Sequence, residues 1–327
     1  GKRGWFYGWY FKCQSDTQTL AVIPAVHQTG RKRTCSIQII TEKQSWTVPF
    51  PGEAFRRKGR TISIGENRFG EKGIRLAVCA PGLEIKGKLA FGPLSPLKYD
   101  IMGPFAFVPF MECRHSIGSM KHTVQGTVYV NGEKYPFDNA AGYWEGDRGR
   151  SFPREYIWTQ CSFPKGAQMA ASKTTDSFPE GAQMLASKAS GSLPGDVQML
   201  ASKTTDSFPE GALMLAVADI PLAGFRFRGI IGAVIINGRE YRLATYLGAK
   251  AARIRNGLVR ITQNRLELEA ELLERIGKPL KAPAEGHMVR TIRESAACRA
   301  RYRFRRDGRT LLDFETDRAS FEYEYMT

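Results

Sequence analysis

Apolar residues in this chain recur at every second position and almost nowhere with helical spacing. Leu266, Leu268, Ala270 and Leu272 alternate with Glu267, Glu269 and Glu271, which puts each kind on one face of an extended strand. Short β-branched runs at Ser36 to Ile40, Arg60 to Ile64, Thr123 to Val130, Ile231 to Ile236 and Arg255 to Ile261 are bounded by Gly, Pro, Asn or Asp. They predict strands joined by tight turns. The expected fold is all-β and antiparallel, with few or no long helices.

Asn131-Gly132 and Asn237-Gly238 each supply the two positive-φ residues of a type I′ hairpin. Their flanks match, aliphatic before the turn and Tyr shortly after it. A duplicated β-unit and the chance recurrence of a common turn both account for this. A third hairpin is predicted with a three-residue loop, Arg306-Asp307-Gly308, which sets Arg301 opposite Asp313 and Arg299 opposite Glu315, with Tyr302 facing Leu312 and Ala300 facing Phe314. The arginine row from Arg299 to Arg305 then reads as a solvated, ion-paired strand face rather than a phosphate-binding stripe.

With 327 residues the chain can bury one large core or two ordinary ones. A fifteen-residue motif beginning at Ser162, Ser177 and Ser192 recurs in part from Ser207. Deleting residues 162 to 206 would join Cys161 directly to Ser207. The repeat therefore reads as a flexible expansion of a loop between two strands, because loop entropy grows only with the logarithm of length. The expected units are an N-terminal β-domain, 1–161, the inserted repeat, 162–206, and a C-terminal β-domain, 207–327.

The net charge of +16 favours anionic surfaces, and is taken as a hint of peripheral membrane contact, with no nucleic-acid partner. Cysteines at 13, 35, 79, 113, 161 and 298 form no C-x-x-C and no metal-ligand spacing with the four histidines, so neither a disulfide framework nor a metal site is expected. No apolar run is long enough to span a bilayer. The expected location is cytoplasmic, and the opening Gly1-Lys2-Arg3 leaves room for an upstream segment.

The segment from Glu112 to Cys161 is the richest in chemistry, interleaving Glu112, His115, His122, Glu145 and Asp147 with Tyr143, Trp144, Tyr156 and Trp158. Glu145 and Asp147, two apart, share a face if they lie on a strand. Carboxylates that close raise one another's pKa, leaving one able to act as a general acid. Gly146, Arg148 and Gly149 equally suit a turn in which Asp147 pairs with Arg148 or Arg150. His115 is read either as a proton relay or as a structural histidine bonded to backbone. The aromatics suit the lining of an apolar cavity or ordinary core. Phosphate loops, nucleophile elbows, zinc-protease motifs and dinucleotide fingerprints are absent.

Three stretches together, Gly8 to Lys12, Pro109 to Gly126 and Gly142 to Cys161, resemble the tocopherol cyclase family. The plant pattern Glu-Lys-x-Trp-Gly-x-x-Phe-Pro followed by Trp-x-Gln-Cys is matched at Glu145, Gly149, Phe152, Pro153, Trp158, Gln160 and Cys161. Gly146 replaces its Lys, Arg148 its Trp, and Tyr7 an acidic residue near the start. The resemblance implies two lipocalin-like β-barrel or sandwich units, related to carotenoid hydratases. It further implies acid-catalysed cyclisation or hydration of a prenylated quinol or isoprenoid lipid, without cofactor. In that frame Asp147 or Glu145 is the acid, His115 and Glu112 are relay or positioning groups, and Trp9, Tyr143, Trp144, Trp158 and Arg114 contact substrate. A non-catalytic lipid carrier using the same cavity is the alternative.

Overall fold

A computed structural model describes residues 4–108, 111–163, 210–222, 225–274, 277–284 and 287–325. Apart from Ser162 and Phe163, the 162–206 repeat lies outside them. What frames it is described: Tyr156–Phe163 pairs antiparallel with Gly211–Leu222, Phe163 opposite Gly211. The insertion therefore occupies a hairpin connection between neighbouring strands.

The chain is all-β, with two large antiparallel sheets and three short 3₁₀ segments among the described residues. The first sheet has eleven strands in the order Ser45–Pro51, Lys32–Thr41, Thr19–Thr29, Trp5–Gln14, Glu133–Gly149, Cys113–Val130, Leu83–Phe91, Gly73–Ala80, Asn67–Gly70, Thr61–Ile64, Phe55–Lys58. The second runs Arg239–Ala244, Phe225–Ile236, Gly211–Leu222, Tyr156–Phe163, Arg309–Tyr323, His287–Arg306, Leu266–Leu272, Leu258–Gln263, Lys250–Arg255, with Lys278–Ala284 also paired to His287–Arg306. In both, the first strand of the sheet pairs with its last. The two sheets thus repeat one topology. The Asn131-Gly132 and Asn237-Gly238 hairpins fall at different places in it, the first joining the last two strands of its sheet and the second the third and fourth. Tyr156–Phe163 belongs to the second sheet, so that sheet starts ahead of residue 162.

Each sheet curls over its own core. Phe11, Ile37, Phe69, Leu76, Val124 and Trp144 fill the first, and Leu213, Val234, Ile261, Tyr302 and Phe314 the second. A third apolar cluster, with Tyr10, Met102, Met111, Tyr143, Tyr156, Trp158, Met214 and Ile292, lies where the sheets meet. Strands at that junction are covered on both faces: Ile157, Cys161 and Phe163 face the second core while Tyr156 and Trp158 face the junction. All eight residues of Tyr156–Phe163 are buried, which removes the polar alternation of a half-exposed strand.

The junction is clasped by polar contacts. Gln38 donates to the Lys281 carbonyl and accepts from its N–H, both at 2.9 Å. Lys12 Nζ donates to the Arg318 carbonyl at 2.8 Å, and Tyr10 and Ser320 hydroxyls are 3.1 Å apart.

Two sequence readings are corrected. Arg255 to Ile261 is not one strand: Asn256 and Gly257, at φ 52° and 85°, turn the chain between Lys250–Arg255 and Leu258–Gln263, a third Asn-Gly hairpin. The loop near Gly308 is two residues, Asp307-Gly308, both at positive φ. It moves the register so that Arg301 faces Glu315, Arg303 faces Asp313 and Tyr302 faces Phe314, with a bulge next to Arg305. A shift of two keeps every side chain on its expected face, so the expected ion pairs form diagonally, Arg301 to Asp313 at 3.1 Å and Arg299 to Glu315 at 3.2 Å. Arg303 also reaches Asp313 and Glu269, and Arg305 reaches Glu267. Asp313→Asn is expected to cost about 1 kcal/mol or less, shrinking further in high salt, because these pairs are solvated. Thermal melting at low and high salt checks this, and a cost insensitive to salt would contradict it.

Candidate functional site

The strand Glu133–Gly149 runs unbroken through Gly146 and Gly149, so Glu145 and Asp147 lie on one face, pointing at the junction. A turn at this point, with Asp147 held by Arg148 or Arg150, is not what forms. His115 stands directly opposite Asp147 on Cys113–Val130. Its Nδ1 is 2.6 Å from Asp147 Oδ1, and its Nε2 is 3.1 Å from Glu145 Oε2. The Nε2 contact is close enough for an ion pair but out of line for a hydrogen bond. Burial disfavours the imidazolium, yet the charges of Glu145 and Asp147 and the hydrogen bond it donates to Asp147 outweigh it and hold the His115 pKa well above its ordinary value. These contacts favour the imidazolium form of His115.

Glu145 Oε2 is crowded. It accepts from Tyr143 Oη at 2.5 Å and from Trp158 Nε1 at 3.2 Å, besides facing His115. Trp158 meets the edge of Tyr10 with ring centroids 5.2 Å apart. Burial first, then neighbouring carboxylates, keep the phenols of Tyr10, Tyr143 and Tyr156 protonated.

These groups border a cavity of about 160 Å³ between the sheets, of the order that accepts a benzene-sized ring. Its walls are mainly apolar, with Phe6, Ile23, Met102, Phe152, Ile231 and Leu280 among them, and His115, Glu145 and Asp147 at the polar end. His27 also borders it; burial pushes its pKa down to about 4, and its Nε2 has no partner, which leaves a neutral nitrogen for a ligand hydroxyl.

The expected site residues divide by strand parity. Asp147, Glu145, His115 and Trp158 converge on the cavity, Trp9 borders it, and Tyr143 hydrogen-bonds Glu145 from off its wall. Glu112, Arg114 and Trp144 are not on its wall. The Glu112 backbone carbonyl accepts from Arg150 and Ser151, Arg114 donates to the Val108 carbonyl at 3.1 Å, and Trp144 stacks on Phe11 in the first core. His122 is structural, its Nδ1 3.0 Å from Ser119 Oγ and its pKa pushed down to about 4 by burial.

The departures from the plant pattern follow the same parity. Tyr7 and Gly146 border a second cavity of about 150 Å³ inside the first sheet, with Trp9, Trp144, Arg57 and Arg60. Arg148 is exposed. None of the three lies on the face carrying Glu145 and Asp147.

Two further acids reach the cavity that the sequence reading passed over. Glu294 and Glu322, 1% and 7% exposed, come from strands of the second sheet and border the same space. Their sequence signal is weak, because both strands carry many charges: Glu294 follows Arg293, and Glu322 stands between Phe321 and Tyr323 on a strand that also holds Asp313, Glu315 and Asp317. That signal is visible only once both faces of those strands are known to be covered.

Among the described residues, His115, Glu145 and Asp147 are the group whose ligand atoms, within 4.8 Å of one another, could take a metal ion. The contacts they make here are those of an imidazolium between two carboxylates. All six cysteines are free thiols.

Two antiparallel sheets of like topology, docked around an acid-bearing apolar cavity, define a lipocalin-like fold. Kievitone hydratase from Nectria haematococca superimposes with a TM-score of 0.51 at 10% identity, covering 98% of this chain and 89% of that one. CghA in complex with Sch210972 gives 0.54 at 8% identity, covering 98% and 88%. At such identities the likeness is one of fold. In sequence, the chain is 31% identical over 84 residues to the chloroplastic tocopherol cyclase of Zea mays, and 31% identical over 77 residues to a protein named probable tocopherol cyclase in Oryza sativa subsp. japonica. These matches cover 26% and 24% of this chain, and 18% and 16% of the relatives' length. The resemblance to tocopherol cyclases drawn from the motifs is thus found by whole-sequence comparison as well. No protein-family model matches the chain.

Proposed function

We propose that the protein takes an apolar, alkene-bearing aromatic or isoprenoid substrate into the cavity between its sheets and cyclises or hydrates it by proton transfer, as a tocopherol cyclase-like enzyme. The observation that carries this is the joining of an apolar cavity to an ion-paired cluster of His115, Glu145 and Asp147. Protonating a trisubstituted alkene makes a tertiary cation. An aromatic wall such as Tyr10 and Trp158 stabilises such a cation, and a dry site keeps stray water from it. The cavity has the volume for the reacting end of a substrate, so the rest of a long prenyl chain must lie outside it. The carrier reading drew on the departures at Tyr7 and Arg148; their position away from the acids favours the catalytic reading.

Purified protein incubated with a prenylated hydroquinone is expected to yield the isomeric chromanol, seen by chromatography and mass spectrometry. Turnover is expected to survive treatment with EDTA. Loss of activity on chelation, restored by a divalent ion, would replace proton transfer with metal chemistry at the same three residues. Tight binding without product would favour a carrier.

A further inference from the structure

Glu294 and Glu322 face each other across neighbouring strands, His287–Arg306 and Arg309–Tyr323, and Glu322 is also opposite Trp158 on its other side. Like charges directly opposite in a sheet repel, and two carboxylates this deeply buried cannot both ionise, so the pair holds a proton. Tyr156 donates its hydroxyl to Glu322 Oε2. Glu294 Oε1 is buried with no hydrogen-bond partner, a costly arrangement for a polar atom unless something at the cavity wall is to meet it.

The titratable groups acting on Glu294 come from every neighbouring element: Tyr10 and Lys12 from Trp5–Gln14, Glu145 from Glu133–Gly149, and Glu322. Lys12 is the one cation among them. Its ammonium donates to the Arg318 carbonyl, and with burial lowering its pKa to about 8 it is a single cation that can offset one charge of the pair but not both. On the facing sheet, Glu145 Oε2 already receives Tyr143 and Trp158, and Asp147 Oδ1 receives His115. Those two oxygens are engaged as acceptors, which suits the receiving side of a proton transfer.

We propose that the Glu294 carboxyl, sharing its proton with Glu322, is the proton donor of this cavity, and that the Asp147–His115–Glu145 cluster is the proton acceptor facing it. The inference rests on the proton-transfer reading above and moves the acid from the first sheet to the second. The O–H bond of Glu294 breaks as the alkene π pair forms a new C–H bond, leaving a carboxylate and a tertiary cation. A phenol or water oxygen then forms the C–O bond, and its proton passes to the Asp147 carboxylate. Glu294 regains a proton and Asp147 loses one to solvent before the next turnover. Nothing is oxidised or reduced. Burial, with the charge of Glu145, raises the Glu294 pKa to about 7, in keeping with a carboxyl that is neutral at mildly acid pH and a strong enough acid once substrate arrives.

Infrared difference spectroscopy during a pH titration of the full chain reads the donor without substrate. A protonated-carboxyl band is expected in the wild type and in Asp147→Asn, and in Glu294→Gln it is expected to shift in frequency and midpoint, because burial alone also raises the pKa of the remaining Glu322. In assays with a prenylated hydroquinone, Glu294→Gln is expected to lose about a hundredfold or more in kcat, with binding, followed by tryptophan fluorescence, unchanged, and Glu294→Asp is expected to regain part of the loss. A band unchanged in frequency and midpoint in Glu294→Gln overturns the assignment. Wild-type activity matched by Glu294→Gln overturns the donor and leaves acid catalysis standing, whereas a wild type that forms no product at any pH removes both.

Discussion

Asp147→Asn is expected to lower turnover of a prenylated quinol by about a hundredfold or more while leaving its binding nearly unchanged. The substitution keeps size and shape but removes the charge that His115 Nδ1 meets at 2.6 Å. Without it the imidazolium keeps only the misaligned contact to Glu145, and the site loses both an acceptor and the group that fixes the ring. The apolar walls that hold the substrate are untouched, so kcat should fall far more than KM rises. Equal turnover by wild type and variant would show that the cluster is structural. The same variant separates enzyme from carrier, since a carrier gives no product with either form and binds alike with both.

Glu294→Gln should change how stability depends on pH. A carboxyl whose native pKa is raised holds its proton more firmly folded than unfolded, so its contribution to stability falls as pH rises from the ordinary value of 4.5 to about 7. Carried over that interval, the loss is on the order of 3 kcal/mol. Glutamine cannot ionise. The variant is therefore expected to match the wild type at about pH 5 and to exceed it at about pH 8, as measured by urea midpoints. His115 acts in the same direction at higher pH: with its pKa raised, its ion-pair stabilisation is full below its ordinary value and lost as pH rises through the native one. Identical curves for variant and wild type would mean that Glu294 is solvated.

Much of the architecture is legible where one strand face meets water. The Leu266–Leu272 strand announces itself by Glu alternation, and the arginine row by its acids across the hairpin, even though the loop at Asp307-Gly308 is one residue shorter than expected. Strands covered on both faces give no such signal. Trp5–Gln14, Thr19–Thr29 and Tyr156–Phe163 are nearly all buried, and their sequences show aromatic or aliphatic density without a period. Because these are the strands on which the sheets dock, the junction was the part of the fold least visible from sequence.

The same cause limited the reading of the site. Glu145, Asp147 and His115 are neighbours in one segment, and the hairpin through Asn131-Gly132 brings His115 to Asp147, so local sequence sufficed to group them. Glu112, Arg114 and Trp144 belong to that segment too, but Glu112 lies just ahead of its strand and strand parity turns Arg114 and Trp144 away from the cavity, and a sequence that fits strand or turn at Gly146 cannot fix parity there. Glu294 and Glu322 lie more than a hundred residues away, which follows from their numbers.

The sequence by itself determined that the chain is built of antiparallel strands, where most turns fall, and which segment carries the first half of the chemistry, because alternation, turn residues and hairpin neighbours are local. Only the tertiary structure decided which side of each strand faces the cavity and that acids from both sheets meet there, because docking two sheets depends on surfaces whose residues are far apart in the chain and unmarked by any period.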